Sequence, residues 1–186
     1  LGITQNPRAL VLGMGRELGN LLKKWFRQKD QTDINKLAPD RREHFWLGIS
    51  RAVQNPVLEG VKRVSVTINH PAIAQKVFGG TIFAKRAGAL TIPVTEKAYG
   101  RTAKTFERET GLKLFLLKGP AAGKGASGLE RAALAAIVGG KIEVEYILTP
   151  KVTQKADPTA LPPEKDMTAA LIKRGQAIVD REGNDK

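Results

Sequence analysis

The sequence predicts an α+β fold: a single domain with a small, mostly antiparallel sheet packed by helices, plus an N-terminal helix and a C-terminal arm and helix. Three observations carry this expectation. Apolar residues recur at spacings of three and four over residues 10–26 and again over 45–53, the period of amphipathic helices. The period changes to two from Val61 and again at Lys141, as in half-buried strands. Hydrophobic residues make up 41% of the 186-residue chain, enough to build a core rather than leave a disordered polymer.

Taken in order, Asn6 or Thr4 caps a first helix with Pro7 in its first turn. Leu10, Met14, Leu18, Leu21, Leu22, Trp25 and Phe26 form its apolar stripe. Gly13, Gly15 and Gly19 each weaken it by about 1 kcal/mol relative to alanine, or let a neighbouring helix or chain come close. Lys23, Lys24, Arg27 and Lys29 complement the helix dipole in its last turns, with phosphate binding as the other reading of that cluster. Polar residues 28–37 read as a linker. Pro39 and Asp40 open a second helix that runs to about Val53, with Phe45, Ile49 and Val53 on one face and Trp46 beside them. Asn55-Pro56 ends it.

Val64, Val66 and Ile68 then alternate with Ser65, Thr67 and Asn69 in a strand that His70-Pro71 interrupts. Residues 72–78 are expected to make a short helix with Ile73 and Val77 on one face, stopped by Gly79-Gly80. Residues 81–83 and 90–92 read as a hairpin with a basic tip at Lys85-Arg86 and Gly88 as the turn residue. Residues 95–111 read as loop and weak helix, and 112–117 as a central strand because both its faces are apolar. Residues 119–128 compose a flexible loop. Residues 129–138 fit either a short helix or a strand. In 141–149, Ile142, Val144, Tyr146 and Leu148 are expected on one face and Glu143 and Glu145 on the other. An extended arm at 151–163 leads to a last helix from about Pro163 to Arg181, with Met167, Leu171, Ile178 and Val179 inward. The expected division is residues 1–38 as N-terminal helix and linker, and residues 39–186 as the core.

The net charge is +13, distributed as +4 over residues 1–60, +9 over 61–128 and zero over 129–186. No acidic residue lies between Glu59 and Glu96. Such a field favours polyanions or an acidic protein surface. Aromatic residues are only 5% of the chain, few for base-stacking platforms. No apolar run approaches the roughly 18–20 residues that span a bilayer, so no membrane partner is expected. The N-terminal Leu1-Gly2-Ile3-Thr4-Gln5-Asn6-Pro7 lacks the pattern of a signal peptide.

The residues offer little chemistry. There is no cysteine, and the two histidines, His44 and His70, are far apart in sequence, so disulfides, thiol nucleophiles and zinc sites are not expected. Gly119-Pro-Ala-Ala-Gly-Lys-Gly125 has three residues, not four, between its first glycine and Gly-Lys, and lacks the hydroxyl residue of a phosphate-binding loop. Gly13-Met14-Gly15 sits in a helix pattern with no strand before it, so it is no dinucleotide fingerprint. Glu96, Glu107 and Glu109 read as solvated surface carboxylates. No catalytic residue, cofactor or metal is expected.

Ile73-Ala74 through Phe78-Gly79-Gly80-Thr81-Ile82, followed by Leu90-Thr91-Ile92-Pro93-Val94 and Glu96-Lys97-Ala98-Tyr99-Gly100, resembles the phage virion morphogenesis family, the tail completion and tail terminator type proteins of tailed bacteriophages. Val64 to Pro71, Leu114-Phe115, and Tyr146 to Thr149 with Lys151-Val-Thr-Gln154 also fit. The similarity spans roughly residues 40–180, and Ile73, Ala74, Phe78, Gly79, Gly80, Ile82, Ile92 and Pro93 are its marker positions. The family's C-terminal arginine-proline-phenylalanine is represented only by Leu161-Pro162-Pro163. The resemblance implies a non-enzymatic subunit of the virion tail or neck, assembled in the host cytoplasm. It implies a homo-oligomeric ring, hexameric by preference, that joins tail to head. Neck, connector and tail-tube proteins would then be its partners. In such a ring Lys85 and Arg86, with Lys104 and Arg101 as further candidates, face packaged DNA or an acidic neighbouring subunit. The protein neighbour is preferred because a channel that grips DNA impedes its passage. Two other readings stand beside it: a basic nucleic-acid-binding accessory protein, and an enzyme on an anionic substrate with residues 119–128 as lid.

Overall fold

The computed structural model describes residues 6–33, 44–85, 88–124 and 130–184. In chain order these form α1 (Pro7–Thr32), α2 (Phe45–Ala52), β1 (Val57–Leu58), β2 (Val64–Ser65), α3 (Ile73–Phe78), β3 (Gly80–Phe83) and β4 (Leu90–Pro93). There follow α4 (Ala103–Thr110), β5 (Phe115–Lys124), β6 (Glu130–Val138), β7 (Lys141–Thr149), β8 (Lys151–Gln154) and α5 (Glu164–Asn184). The class is the expected mixed α+β, and the strand pairs are antiparallel. The described residues belong to two compact units, one built from 6–33, 44–79 and 155–184, the other from 80–154.

The first unit is mainly helical. Asn6 caps α1, its Oδ1 accepting from the Ala9 amide at 3.0 Å, and Pro7 occupies the first turn as expected. The helix continues past Gln28, where a linker was expected, to Thr32. Lys29 and Asp30 account for the extra turn, because each meets a partner: Lys29 reaches Asp157, and the Asp30 carboxylate accepts from the Leu47 amide and faces His44 Nδ1 at 2.8 Å. Leu22 and Phe26 are buried against Trp46, Ile49, Val53, Ile73 and Ala160. α1 is therefore a wall of this core rather than a detachable arm; the expected boundary at residue 38 lies outside the described residues, as do Thr4 and the expected start of the second helix.

The segment expected as an arm is likewise fastened over 155–163. The Trp25 indole donates to the Thr159 carbonyl at 3.3 Å, and the Asp157 amide donates to the Lys76 carbonyl at 2.8 Å. Only Val64 and Ser65 of the expected 64–69 strand form a ladder, with β1. Ile68 makes a single bridge to Val53, because the backbone of 67–69 bonds to the exit of α2 instead. Val66 and Ile68 still pack inward, as their alternation requires.

Two helix glycines, one in α1 and one in α2, separate close approach from mere tolerance. A Cβ on Gly15 would stand 2.6 Å from Val64 Cγ2 and 2.9 Å from Pro56 Cβ, and a proline ring cannot rotate away. Gly15→Ala is expected to lower stability by about 1–3 kcal/mol, by overpacking. A Cβ on Gly48 in α2 meets nothing within 4 Å, so Gly48→Ala is expected to add about 0.5–1 kcal/mol from helix propensity alone. Urea midpoints moving in opposite directions for the two variants would show this.

In the second unit four strands lie in the order β4-β7-β6-β5, and β3 pairs separately with β8. The expected hairpin between 81–83 and 90–92 does not form. β4 pairs with β7 and β3 with β8, so the two lie along successive partners on either side of Pro150. The Ala84 amide donates to the Pro150 carbonyl at 3.0 Å, so the end of β3 stays on the β8 side and does not turn back onto β4. Period-two alternation specifies a buried face, not a pairing partner, which is why the hairpin expectation failed. Gly88 does take the positive φ (50°) expected of a turn residue.

β5 is an edge strand, not the central one expected, and Leu116 is 51% exposed there. Its backbone continues to Lys124, through part of the expected loop, with a register shift between Gly119 and Lys124; residues 125–129 lie outside the described residues. Residues 130–138 take the strand alternative as β6, with Ala133, Ala135 and Ala136 buried. Within 95–111, a turn precedes α4, whose cap Thr102 accepts from the Thr105 amide and whose end is set by Gly111 in the left-handed region.

Candidate functional site

The marker positions form a succession from helix to edge strand. Ile73 is buried and packs with Val77 against the first unit's core, while Ala74 and Phe78 face outward, Phe78 80% exposed. Gly79 (φ 69°, ψ −160°) ends α3, its amide donating to the Gln75 carbonyl, and Gly80 follows at φ 133°. Both angles strain any residue with a Cβ, so the glycine pair is a backbone requirement. His70 caps the preceding turn, as its place before Pro71 suggests, with Nδ1 accepting from the Ala72 amide at 3.3 Å.

β3 then enters a two-stranded ribbon with β8. All four of its residues are exposed, including Ile82 (43%) and Phe83 (62%). Thr81 pairs with Thr153, their hydroxyls 3.1 Å apart, Ile82 pairs with Val152, and Phe83 with Lys151. Ile92 and Pro93 lie on β4 opposite Ile147 and Tyr146, with Ile92 still 37% exposed.

The candidate basic residues differ in their settings. Lys85 follows β3 and is exposed; Arg86 lies outside the described residues. Lys104 is exposed on α4. Arg101 is committed elsewhere: its Nε donates to Glu109 at 2.7 Å and its guanidinium also donates to the Lys97 carbonyl at 2.6 Å. The hydrogen bond from Arg101 and its positive charge hold the Glu109 carboxyl below its ordinary range. Glu109 and Glu107 are thus structural rather than merely solvated, since Glu107 accepts from the Leu114 amide at 2.9 Å.

Glu145 is the largest departure from the sequence reading. It is fully buried, not solvent-facing, because the β6–β7 register jumps from Leu134↔Tyr146 to Ala135↔Val144 and leaves Glu145 as the extra residue of a bulge. Glu145 Oε2 accepts from the Thr95 hydroxyl, which itself accepts from the Ala98 amide, while Oε1 has no hydrogen-bond partner among the described residues. Tyr146 beside it donates to the Ala98 and Arg101 carbonyls at 3.3 and 3.1 Å. The pair ties the 95–101 turn to the sheet. Nothing in an alternating strand marks a bulge, so no sequence signal was available for Glu145.

In the first unit, an open cleft of about 480 Å³ is lined by Trp25, Gln28, Lys29, Thr32, Asp33, Asp157 and Thr159. Its polar groups already serve one another. The Lys29 ammonium bonds Asp157 at 2.9 Å and the Thr159 carbonyl at 2.8 Å, and lies 4.4 Å from the centre of the Trp46 ring. Burial pushes the Asp157 carboxyl up, but the Thr159 hydroxyl and amide and the Lys29 ammonium outweigh it and hold the group at about 2. Since that lies below its ordinary value of 3.8, the stability it contributes is complete above about pH 4 and is lost as pH falls toward 2. For a side chain 30% exposed we expect about 1 kcal/mol, and Asp157→Asn should flatten the acid limb of the stability profile by that amount.

Among the described residues no group of three or more His, Asp or Glu side chains is placed to hold a metal ion, and no helix is long and apolar enough to cross a membrane. Comparison with family models, curated proteins and solved structures finds no match.

Proposed function

We propose that this chain is a non-enzymatic structural subunit of a tailed-phage virion, forming a homo-oligomeric ring, hexameric by preference, at the tail terminus or neck. The observation that carries the reading is the Ile73–Ile82 run and what it builds. A short helix, two glycines at positive φ and an edge strand leave Ile82 and Phe83 exposed on a two-stranded ribbon. Such a ribbon is marginal alone in water, so an assembly contact is the economical use for it. Neck, connector and tail-tube proteins are the partners this reading names, in the virion after assembly in the host cytoplasm.

Native mass spectrometry of the purified chain, alone and with neighbouring virion proteins, tests it. A closed ring of identical copies is expected; a monomer at every concentration that also fails to join particles overturns it. The +13 charge favours a second reading, a nucleic-acid-binding accessory protein. Binding to duplex DNA that weakens steeply with salt, in a chain that stays monomeric, would select that reading instead.

A further inference from the structure

We propose that the edge of β3 away from β8, which no described residue bonds, accepts an extended acidic segment of a neighbouring protein, which adds to the β3–β8 ribbon as a third strand. The setting rests on the assembly reading above; the chemistry rests on the ribbon itself. In an antiparallel strand, the amide and carbonyl of one residue point to the same side, and those of the next residue to the other. The Ala84 amide points toward β8, donating to Pro150. By that parity Ile82 also points toward β8, and Thr81 and Phe83 direct their amides and carbonyls outward, where no described residue bonds them.

The edges of this unit differ in protection. β4 ends in Pro93, which has no amide hydrogen to offer, and β5 carries Lys118 and an irregular register after Gly119. β3 has neither proline, charge nor bulge within it, only its shortness. An open edge without these devices is suited to strand addition, with main-chain bonds giving affinity and alternate side chains giving specificity.

Charge selects the occupant. Lys151 stands opposite Phe83, Lys85 follows β3, and no acidic residue occurs from 60 to 95 or from 146 to 156. A partner strand with carboxylates near these lysines and apolar residues beside Phe83 and Ile82 complements both features. A second copy of the same ribbon brings lysines to lysines, so a different, acidic chain is the better fit.

The probe is a fluorescein-labelled octapeptide alternating valine and glutamate, titrated with the whole protein and followed by anisotropy. Binding is expected, weakened by added salt and absent for the matching valine–lysine peptide. Thr81→Pro removes an outward amide without removing a bond to β8, and should weaken binding by about fivefold to tenfold. Phe83→Glu, which keeps the backbone and reverses the charge preference, should abolish it and serves if the proline variant does not fold. Equal binding of both peptides, or unchanged binding by both variants, overturns the proposal. So does self-association that Thr81→Pro dissolves in a chain that ignores the peptide, and so does binding of single-stranded DNA alone. Ring formation is read separately by native mass, so loss of the ring with peptide binding intact would count against the ring and not against the strand site.

Discussion

Trp46→Ala should cost about 3–5 kcal/mol, the range for truncating a large buried aromatic. Trp46 is 1% exposed and stacks on Phe26, with ring centres 5.9 Å apart and planes within 9°. Phe45 meets it edge-on at 5.0 Å, its indole donates to the Asp33 carboxylate, and the Lys29 ammonium lies over its ring. Removing the indole opens a cavity at the junction of α1 and α2, takes the partner from Asp33 and leaves the Lys29–Asp157 pair without its apolar floor. A domain of ordinary size is stable by only about 5–15 kcal/mol, so the variant should approach the unfolding threshold. Denaturant titration gives the magnitude. Trp46→Phe separates the causes: it keeps most of the volume and should recover more than half of the loss. If the alanine variant loses less than about 1 kcal/mol, Trp46 is not the centre of this core.

The same residues show what could be read without coordinates. The α1 stripe placed Leu22 and Phe26 on the buried face, and 3.6-residue spacing placed Ile73 and Val77 together, because a helix's neighbours lie within its own sequence. The half-buried side of α5 followed from Met167, Leu171, Ile178 and Val179 for the same reason. Pairings between distant segments were not legible. Lys29 and Asp157 are 128 positions apart, and neither residue type announces its partner. The choice of β7 and β8 as partners for β4 and β3 is a topological fact that period-two alternation does not encode. Of the marker positions, the glycine pair was legible because backbone at positive φ demands glycine. The ion pair of Arg101 with Glu109 was not legible, because it arises only when the turn before α4 folds.

Tyr146→Ala should cost about 3–5 kcal/mol as well, with the damage in a different core. Tyr146 is fully buried on β7, edge-on to Phe106 at 5.8 Å, and packed with Ala98, Leu112, Leu114 and Leu134. Hydrogen exchange should therefore lose protection in β4, β6, β7 and α4, where Trp46→Ala is expected to expose α1 and α2 first. Tyr146→Phe leaves the ring and removes only the hydroxyl, stranding the Ala98 and Arg101 carbonyls, for a loss of about 1–2 kcal/mol. The pH dependence separates these roles further. Burial, the largest cause, raises the Tyr146 pKa above its ordinary 10.0, Glu145 adds to it in smaller part, and Arg101 opposes them. A raised pKa favours the protonated hydroxyl in the folded protein, so its contribution is complete below about pH 10 and is lost at more alkaline pH. Tyr146→Phe should be less stable than the parent near neutrality yet lose less of its stability as pH rises beyond 10. Parallel alkaline limbs for the two proteins would mean that the hydroxyl does not hold the 95–101 turn, and that β7 carries Tyr146 for its ring alone.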